Sequence, residues 1–261
     1  MKQKNDQLRE VFKELANAAV AFSGGVDSAV LTAVAFSVLG DKMIAVTGTS
    51  PSVPSRDLDS AVSFCKKRGI PHVLIETGEF LDPNYLANPE NRCFYCKKNL
   101  FKNISGEAEK RGIKFIIEGT NASELLGHRP GFQAKREIDN VVTPFADLGF
   151  SKGDVRSLAR YLGLEVADRP STACLSSRIP VGEKIEAKTL ENIDEAENFL
   201  IGLGIRQIRV RHHGKLARIE TDEHGFEICA ANRDVIRKKI EGLGWKIVTL
   251  DIKGYRTGGG M

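Results

Sequence analysis

Long apolar runs are missing from this chain. No stretch approaches the roughly 20 residues that cross a bilayer, and the opening segment from Met1 to Glu10 is polar and charged. Neither a membrane span nor a secretory signal is expected, and a cytoplasmic protein is. Cysteine is sparse, five in 261 residues, which argues against a disulfide framework. A second Cys-x-x-C is lacking, so a closed four-cysteine zinc site is not expected. No internal repeat is present, and the only low-complexity segment is the glycine-rich tail at 258–261, where disorder is expected. Neither sign of charge dominates: 38 Lys and Arg face 34 Asp and Glu, a formal net charge of +4. That balance permits a nucleotide or nucleic-acid partner without demanding one.

What the chain does have is alternation. Its length suffices for a substantial core and for two domains. Helix patterns run from Asp6 to Asn17, Ala29 to Leu39, Arg56 to Arg68, Lys97 to Arg111 and Lys152 to Leu162. Several end at glycines 69, 112 and 163, and Ser151 is placed to cap the last. Between them lie short apolar strands at Ala18–Phe22, from Met43, at His72–Glu76 and from Lys114. Strands separated by helices predict an α/β fold with a parallel, doubly wound sheet. From about Pro180 the order becomes helix (Leu190–Leu203), two strands (207–212 and 217–221), helix (Arg233–Leu243) and strand (Trp245–Ile252). A smaller C-terminal α+β domain is expected over 176–261, after a first domain over 1–175.

The chemistry is concentrated after the first strand, in Ser23-Gly24-Gly25-Val26-Asp27-Ser28. A turn of small residues there leaves backbone N–H groups at a helix N-terminus, an anion site favoured by the helix dipole. Ser23 and Ser28 add hydroxyls, and Asp27 can hold Mg²⁺. The Gly-Lys-Ser/Thr of a Walker A loop is absent. The segment instead resembles the pyrophosphate loop (PP-loop) of the ATP pyrophosphatases, which split ATP between its α and β phosphates. Parallel sheets bind ligands at the carboxyl ends of their strands. Thr47 to Ser50 and the Gly119 loop are expected to converge there with residues 23–28.

Two further constellations stand out. Cys93 and Cys96 form a Cys-x-x-C pair, with Cys174 far downstream, while Cys65 and Cys229 read as core residues. From the residues alone a [4Fe–4S] cluster on three thiolates, a zinc site and direct thiol chemistry at Cys174 all stay open. The second is basic: Arg209 and Arg211 share one strand face, with Arg206, His212, His213, Lys215 and Arg218 nearby and Arg178 and Arg256 isolated in Gly/Pro/Ser-rich surroundings. Arginine forks suit phosphate or carboxylate. No interleaved aromatics accompany them to stack bases, so nucleic acid is not the expected partner. Glu197 and Glu220 are placed to balance these arginines, to bind a metal or simply to lie at the surface.

Six stretches together sharpen the picture: 118–122, His128 to Ala134, Thr143 to Gly149, Asp154 to Arg160, Arg169 to Pro180, whose most specific part is Ala173-Cys-Leu-Ser-Ser-Arg-Ile-Pro, and Arg209-Val-Arg. They resemble the LarE sulfur transferases over nearly the whole chain. The resemblance implies ATP-dependent adenylation of pyridinium-3,5-biscarboxylic acid mononucleotide and conversion of its carboxylates to thiocarboxylates for a nickel-pincer cofactor. It implies Cys174 as the sulfur-handling residue, with Asp27, Arg178 and Glu197 in the catalytic set. Nucleotide and substrate would be held by residues 23–28, Thr47, Ser50, Gly119, Ser177, Arg209, Arg211 and Arg256. Cys93 and Cys96 resemble the cluster-bearing branch, which implies a [4Fe–4S] cluster on Cys93, Cys96 and Cys174, with Mg²⁺ on Asp27. A homo-oligomer is expected. A tRNA-thiolating relative and a non-enzymatic nucleotide-binding regulator are the rival readings, whereas NAD and GMP synthetases leave Cys93, Cys96 and the second domain without a role.

Overall fold

The computed structural model describes residues 1–125, 140–170 and 172–256. The chain forms two compact units, one of residues 1–50, 57–82 and 91–172, the other of 51–56, 83–90 and 173–261.

In the first unit the sheet strands are β1 (Ala18–Ala21), β2 (Met43–Thr49), β3 (His72–Glu76), β4 (Ile116–Ile117) and β5 (Val141–Val142). They pair in the order β3-β2-β1-β4-β5, all parallel. The longer helices are α1 (Lys2–Leu15), α2 (Val26–Leu39), α3 (Ser55–Arg68), α4 (Arg92–Glu109) and α5 (Lys152–Tyr161). α2 is apolar nearly all round, with Val26, Ala29, Val30, Leu31, Val34 and Ala35 buried, the mark of a helix packed on several sides. One core joins α1, α2, α3 and α5 to the sheet through Phe12, Leu31, Phe64 and Leu158. A second joins α4 through Phe101, Ile104 and Ala108 to Ile44, Val46 and Ile116. Covering both faces is what an all-parallel sheet requires, and the α/β, doubly wound architecture read from the sequence is the observed one.

Strand order matters for function. The chain winds outward from β1 to β3, then returns to place β4 on the other side of β1. The boundary between β1 and β4 is therefore the switch point at which following loops part and leave a crevice. α5 begins at Ser151 with a complete capping box: its side chain accepts from the Asp154 N–H while Asp154 accepts from the Ser151 N–H.

The second unit is α+β. Its helices are α6 (Ala187–Gly202), α7 (Glu223–Ala231) and α8 (Arg233–Gly242), and its strands β6 (Ile208–His213), β7 (Leu216–Thr221) and β8 (Ile247–Leu250). β6 and β7 form an antiparallel hairpin and β8 adds parallel to β7. Leu190, Ile193, Leu200, Val210, Ile219, Ile236 and Ile240 supply its buried apolar side chains.

Three element readings need correction. α4 begins at Arg92 rather than Lys97, so both Cys93 and Cys96 lie in its first two turns. The strand expected from Lys114 pairs over only two residues, Ile116 and Ile117. A helix, α7, separates β7 from α8, started by the Asp222 side chain accepting from the Gly225 N–H. The His128–Ala134 stretch, Ser171 and the tail at 258–261 lie outside the described residues.

Candidate active site

The turn after β1 is built by small residues with different tasks. Gly24 has φ +73°, and a Cβ there would lie 3.1 Å from the Asp57 carbonyl oxygen; only glycine accepts both constraints. Gly25 is the N-cap of α2 and offers no side chain to the first-turn amides, which leaves them for an anionic ligand. The Ser28 hydroxyl donates to the Gly25 carbonyl at 3.1 Å and accepts from the Ser23 N–H at 3.2 Å. Its side chain therefore closes the loop, while Ser23 stays exposed.

Gly119 brings a second loop against the first. A Cβ at 119 would stand 3.2 Å from the Asp27 Cβ and 3.4 Å from the Ser28 nitrogen. This contact spans the switch point between β1 and β4. From the same loop Asn121 Nδ2 donates to Asp27 Oδ1 at 3.1 Å. The other carboxylate oxygen pairs with Lys152 Nζ at the start of α5. Asn121 is fully buried, and its Oδ1 has no hydrogen-bond partner among the described residues. Flipping that amide would set a carbonyl against the Asp27 carboxylate, so the assigned orientation is the electrostatically sound one. An ionisable carboxylate beside an unsatisfied buried oxygen is a donor set that fits a hard divalent cation.

Nearby side chains mostly brace the loops. Thr47 is 3 % exposed, and its hydroxyl donates to the Phe22 carbonyl at 2.6 Å and lies 2.8 Å from His72 Nε2. Burial lowers the His72 pKa, which favours the neutral ring. Ser50 sits half-buried just beyond β2. Glu118 pairs with Lys97 at 2.8 Å. Burial alone would raise its pKa, but the Lys97 charge and the Lys97 and Thr120 hydrogen bonds outweigh that and lower it.

In the second unit the segment after Ala173 is held from several sides. The Cys174 carbonyl accepts from the Ser177 N–H at 3.0 Å, the Ser177 hydroxyl at 2.8 Å and Arg178 Nη1 at 2.9 Å. The Leu175 N–H donates to the Ser52 carbonyl at 2.8 Å. Tyr85 Oη and Ser176 Oγ lie 2.6 Å apart, and Asn88 Nδ2 donates to the Pro180 carbonyl at 2.7 Å. The Cys174 side chain remains half-buried on this fixed backbone.

Arg178 and Glu197 are both fully buried and form a two-bond pair, Nε to Oε1 at 2.9 Å and Nη2 to Oε2 at 3.0 Å. The Val210 N–H and Arg56 Nη2 complete the carboxylate, each at 3.0 Å. Burial would push the Glu197 pKa up; Arg178, first by its charge and then by its hydrogen bonds, Arg56 and Val210 bring it down below the ordinary value. With four donors on its two oxygens, Glu197 anchors arginine. Arg178 correspondingly spends Nη1 on the Ala173 and Cys174 carbonyls. Each guanidinium nitrogen of Arg178 is thus engaged by Glu197 or by the backbone carbonyls of Ala173 and Cys174.

The other arginines separate. Arg211 bonds Glu220 at 3.0 Å and the Ser177 carbonyl at 2.7 Å. Arg209 is 5 % exposed, donates to the Ile208 carbonyl at 2.6 Å and stacks over Tyr255 at 5.1 Å. Burial, then the neighbouring Arg178 charge, lowers its pKa. Arg256, Arg206, His213 and Lys215 are exposed. Sequence reading missed Lys152, Arg56 and Asn88; Asn121 came in with the Gly119 loop expected at the strand ends, but without a role of its own.

The five cysteines divide sharply. Burial pushes the Cys65 thiol up to about 12 and the Cys229 thiol up to about 11, so both are inert at neutral pH. Cys93 is exposed, and Cys96 and Cys174 are intermediate. Three accessible thiols suit an iron–sulfur cluster by donor chemistry. Cys93 and Cys96 belong to the first unit and Cys174 to the second, and no group of three or more His, Cys, Asp or Glu is gathered as a metal site among the described residues.

Fold, switch-point crevice and glycine loop together define an enzyme of the PP-loop ATP-pyrophosphatase class. No family model matches the chain. It is 39 % identical over 260 residues to an uncharacterised Synechocystis protein, covering 99 % of this chain and 97 % of that one. It is 30 % identical over 257 residues to the pyridinium-3,5-bisthiocarboxylic acid mononucleotide synthase of Lactiplantibacillus plantarum, covering 98 % and 92 % respectively. A shorter match, 27 % over 172 residues, covers 60 % of this chain and 45 % of a chain of the glutamine-hydrolysing GMP synthase of Sulfurisphaera tokodaii. The chain belongs to the pyridinium-3,5-bisthiocarboxylic acid mononucleotide synthase (LarE) family.

Proposed function

We propose that this enzyme uses ATP to activate the carboxylates of pyridinium-3,5-biscarboxylic acid mononucleotide and replaces oxygen with sulfur, giving the bisthiocarboxylate. The observation that carries the reading is the full-length relationship to the L. plantarum synthase, together with a phosphate-accepting loop whose amides are left uncapped. A substrate carboxylate oxygen attacks the α-phosphorus, the bond to the β-phosphate oxygen breaks and pyrophosphate leaves. The product is an acyl-adenylate, in which AMP is a good leaving group. A sulfur nucleophile then attacks the acyl carbon, a C–S bond forms and AMP departs. Positioning and charge neutralisation are what the protein supplies to the first step.

The amides and hydroxyls of residues 23–28 hold the leaving phosphates, and Asp27, steadied by Asn121, holds the Mg²⁺ that accompanies them. Thr47, Ser50 and Gly119 shape the adenosine side. Arg209, Arg211, Arg256 and Ser177 are the residues assigned in this reading to the substrate's phosphate and carboxylates, Arg256 being the exposed arginine of the set and Arg209 and Arg211 the buried ones. Arg178 and Glu197 fix the backbone that presents Cys174. On Cys93, Cys96 and Cys174 a [4Fe–4S] cluster would leave one iron without a protein thiolate, able to carry a sulfur atom.

The test is anaerobic turnover of iron- and sulfide-reconstituted protein with ATP, Mg²⁺ and the biscarboxylate, following small molecules and intact protein mass. Asp27→Ala is expected to abolish AMP formation, and undiminished AMP would remove its metal role. Cys174→Ala is expected to release AMP without thiocarboxylate, and normal thio-product would overturn its role in sulfur transfer. More than one sulfur delivered per chain with Cys174 unchanged supports the cluster. Stoichiometric product with the chain lighter by H₂S would instead make Cys174 the donor.

A further inference from the structure

Two side chains match the Asp27 carboxylate, one at each oxygen. Lys152 Nζ contacts Oδ2 and Asn121 Nδ2 holds Oδ1. Lys152 is delivered by its element: it follows the Ser151 cap, and its own N–H donates to Ser123 Oγ at 3.2 Å. The two side chains are 31 % and 18 % exposed, so the pair is water-screened and can open, unlike Arg178–Glu197.

We propose that Lys152 is the resident counter-cation of Asp27 and keeps divalent metal out of the nucleotide-free enzyme, so that metal and ATP enter together. The inference rests on Asp27 being the metal-holding residue. A divalent ion arriving alone meets a carboxylate whose charge is cancelled, with an ammonium in contact with it. Entry would strand that ammonium beside a more highly charged ion. A triphosphate changes the balance: it offers Lys152 new oxygens, brings the negative charge the neutral pair lacks, and supplies further ligands to the metal. Asn121, which donates to Asp27 through Nδ2, also carries a buried Oδ1 without a hydrogen-bond partner among the described residues, a second oxygen that a cation or its bound water would satisfy.

Mn²⁺, read by electron paramagnetic resonance on the intact protein, is the probe. It is used alone and with the α,β-methylene analogue of ATP, which the enzyme cannot split. Wild-type protein is expected to retain Mn²⁺ only with the analogue. Lys152→Gln is expected to bind Mn²⁺ without nucleotide about tenfold more tightly than wild type, from loss of one adjacent like charge. Adding Asp27→Asn is expected to return it to the wild-type level. Lys152→Arg, which keeps the charge, should still exclude the ion. If Lys152→Gln takes up no more Mn²⁺ than wild type while Asp27→Asn loses the analogue-dependent Mn²⁺, the barrier role is overturned. It is overturned equally if Lys152→Arg admits the ion as readily as Lys152→Gln. If Asp27→Asn leaves analogue-dependent Mn²⁺ intact, the metal reading of Asp27 is what fails, and this inference falls with it.

Discussion

Single atoms decide much of this site. Gly119 carries no Cβ, and one placed there would press on Asp27 at 3.2 Å. Gly119→Ala is expected to raise the KM for ATP about tenfold, equivalent to about 1.4 kcal/mol and within the usual cost of overpacking. Steady-state kinetics checks it, and an unchanged KM would mean that the two loops have slack. The buried Arg178–Glu197 pair behaves differently. Arg178→Met would leave a carboxylate buried with half its donors gone, a change that costs about 3–5 kcal/mol. Urea denaturation is expected to show that loss, whereas Arg256→Met, at an exposed position, is expected to leave the stability within about 0.5 kcal/mol of wild type. Arg178 and Arg256 look alike in sequence because each sits among small, turn-forming residues. Only the fold, by bringing Glu197 from α6 to one of them, tells them apart.

At the scale of elements, local chemistry is a good guide wherever the signal is local. The Ser151 cap of α5 and the glycines that end helices are legible because capping and positive φ depend on neighbours in sequence. The start of α4 is not, because its N-cap Asn91 makes no side-chain capping hydrogen bond and the apolar periodicity only becomes clear later. β4 is shorter than its apolar run suggests, since such a run does not reveal how many of its residues find a pairing partner. Lys152 reads as an ordinary first-turn lysine, since its contact with Asp27 joins positions 125 residues apart in sequence. The α5 cap also carries a pH signature. Asp154 is held at about 2, first by its hydrogen bond to Lys4 and then by those to Ser151, against an ordinary 3.8. A depressed carboxylate contributes its full stability above its unfolded value and loses it as pH falls toward the folded one. The contribution is therefore complete above about pH 4 and fades down to about pH 2. Thermal melts of Asp154→Asn are expected to fall below wild type at neutral pH and to converge with it near pH 2.

For the whole molecule, near-balanced charge bears on partner choice. A net +4 from 38 basic and 34 acidic residues gives little reason for long-range attraction to a polyanion. Filter binding of tRNA is expected to be weak and nearly flat between about 50 and 200 mM salt, whereas a steep decline would favour an RNA substrate. The division into two compact units has another consequence, which follows from the two inert thiols. Cys65 lies in the first unit and Cys229 in the second, each shielded from reagent by burial. Each can be alkylated only when its surroundings transiently open, so its labelling rate is a clock on that opening. A single time course with peptide mapping would run both clocks in one tube: matching rates would mean that the halves breathe as one, and diverging rates would give each half a lifetime of its own.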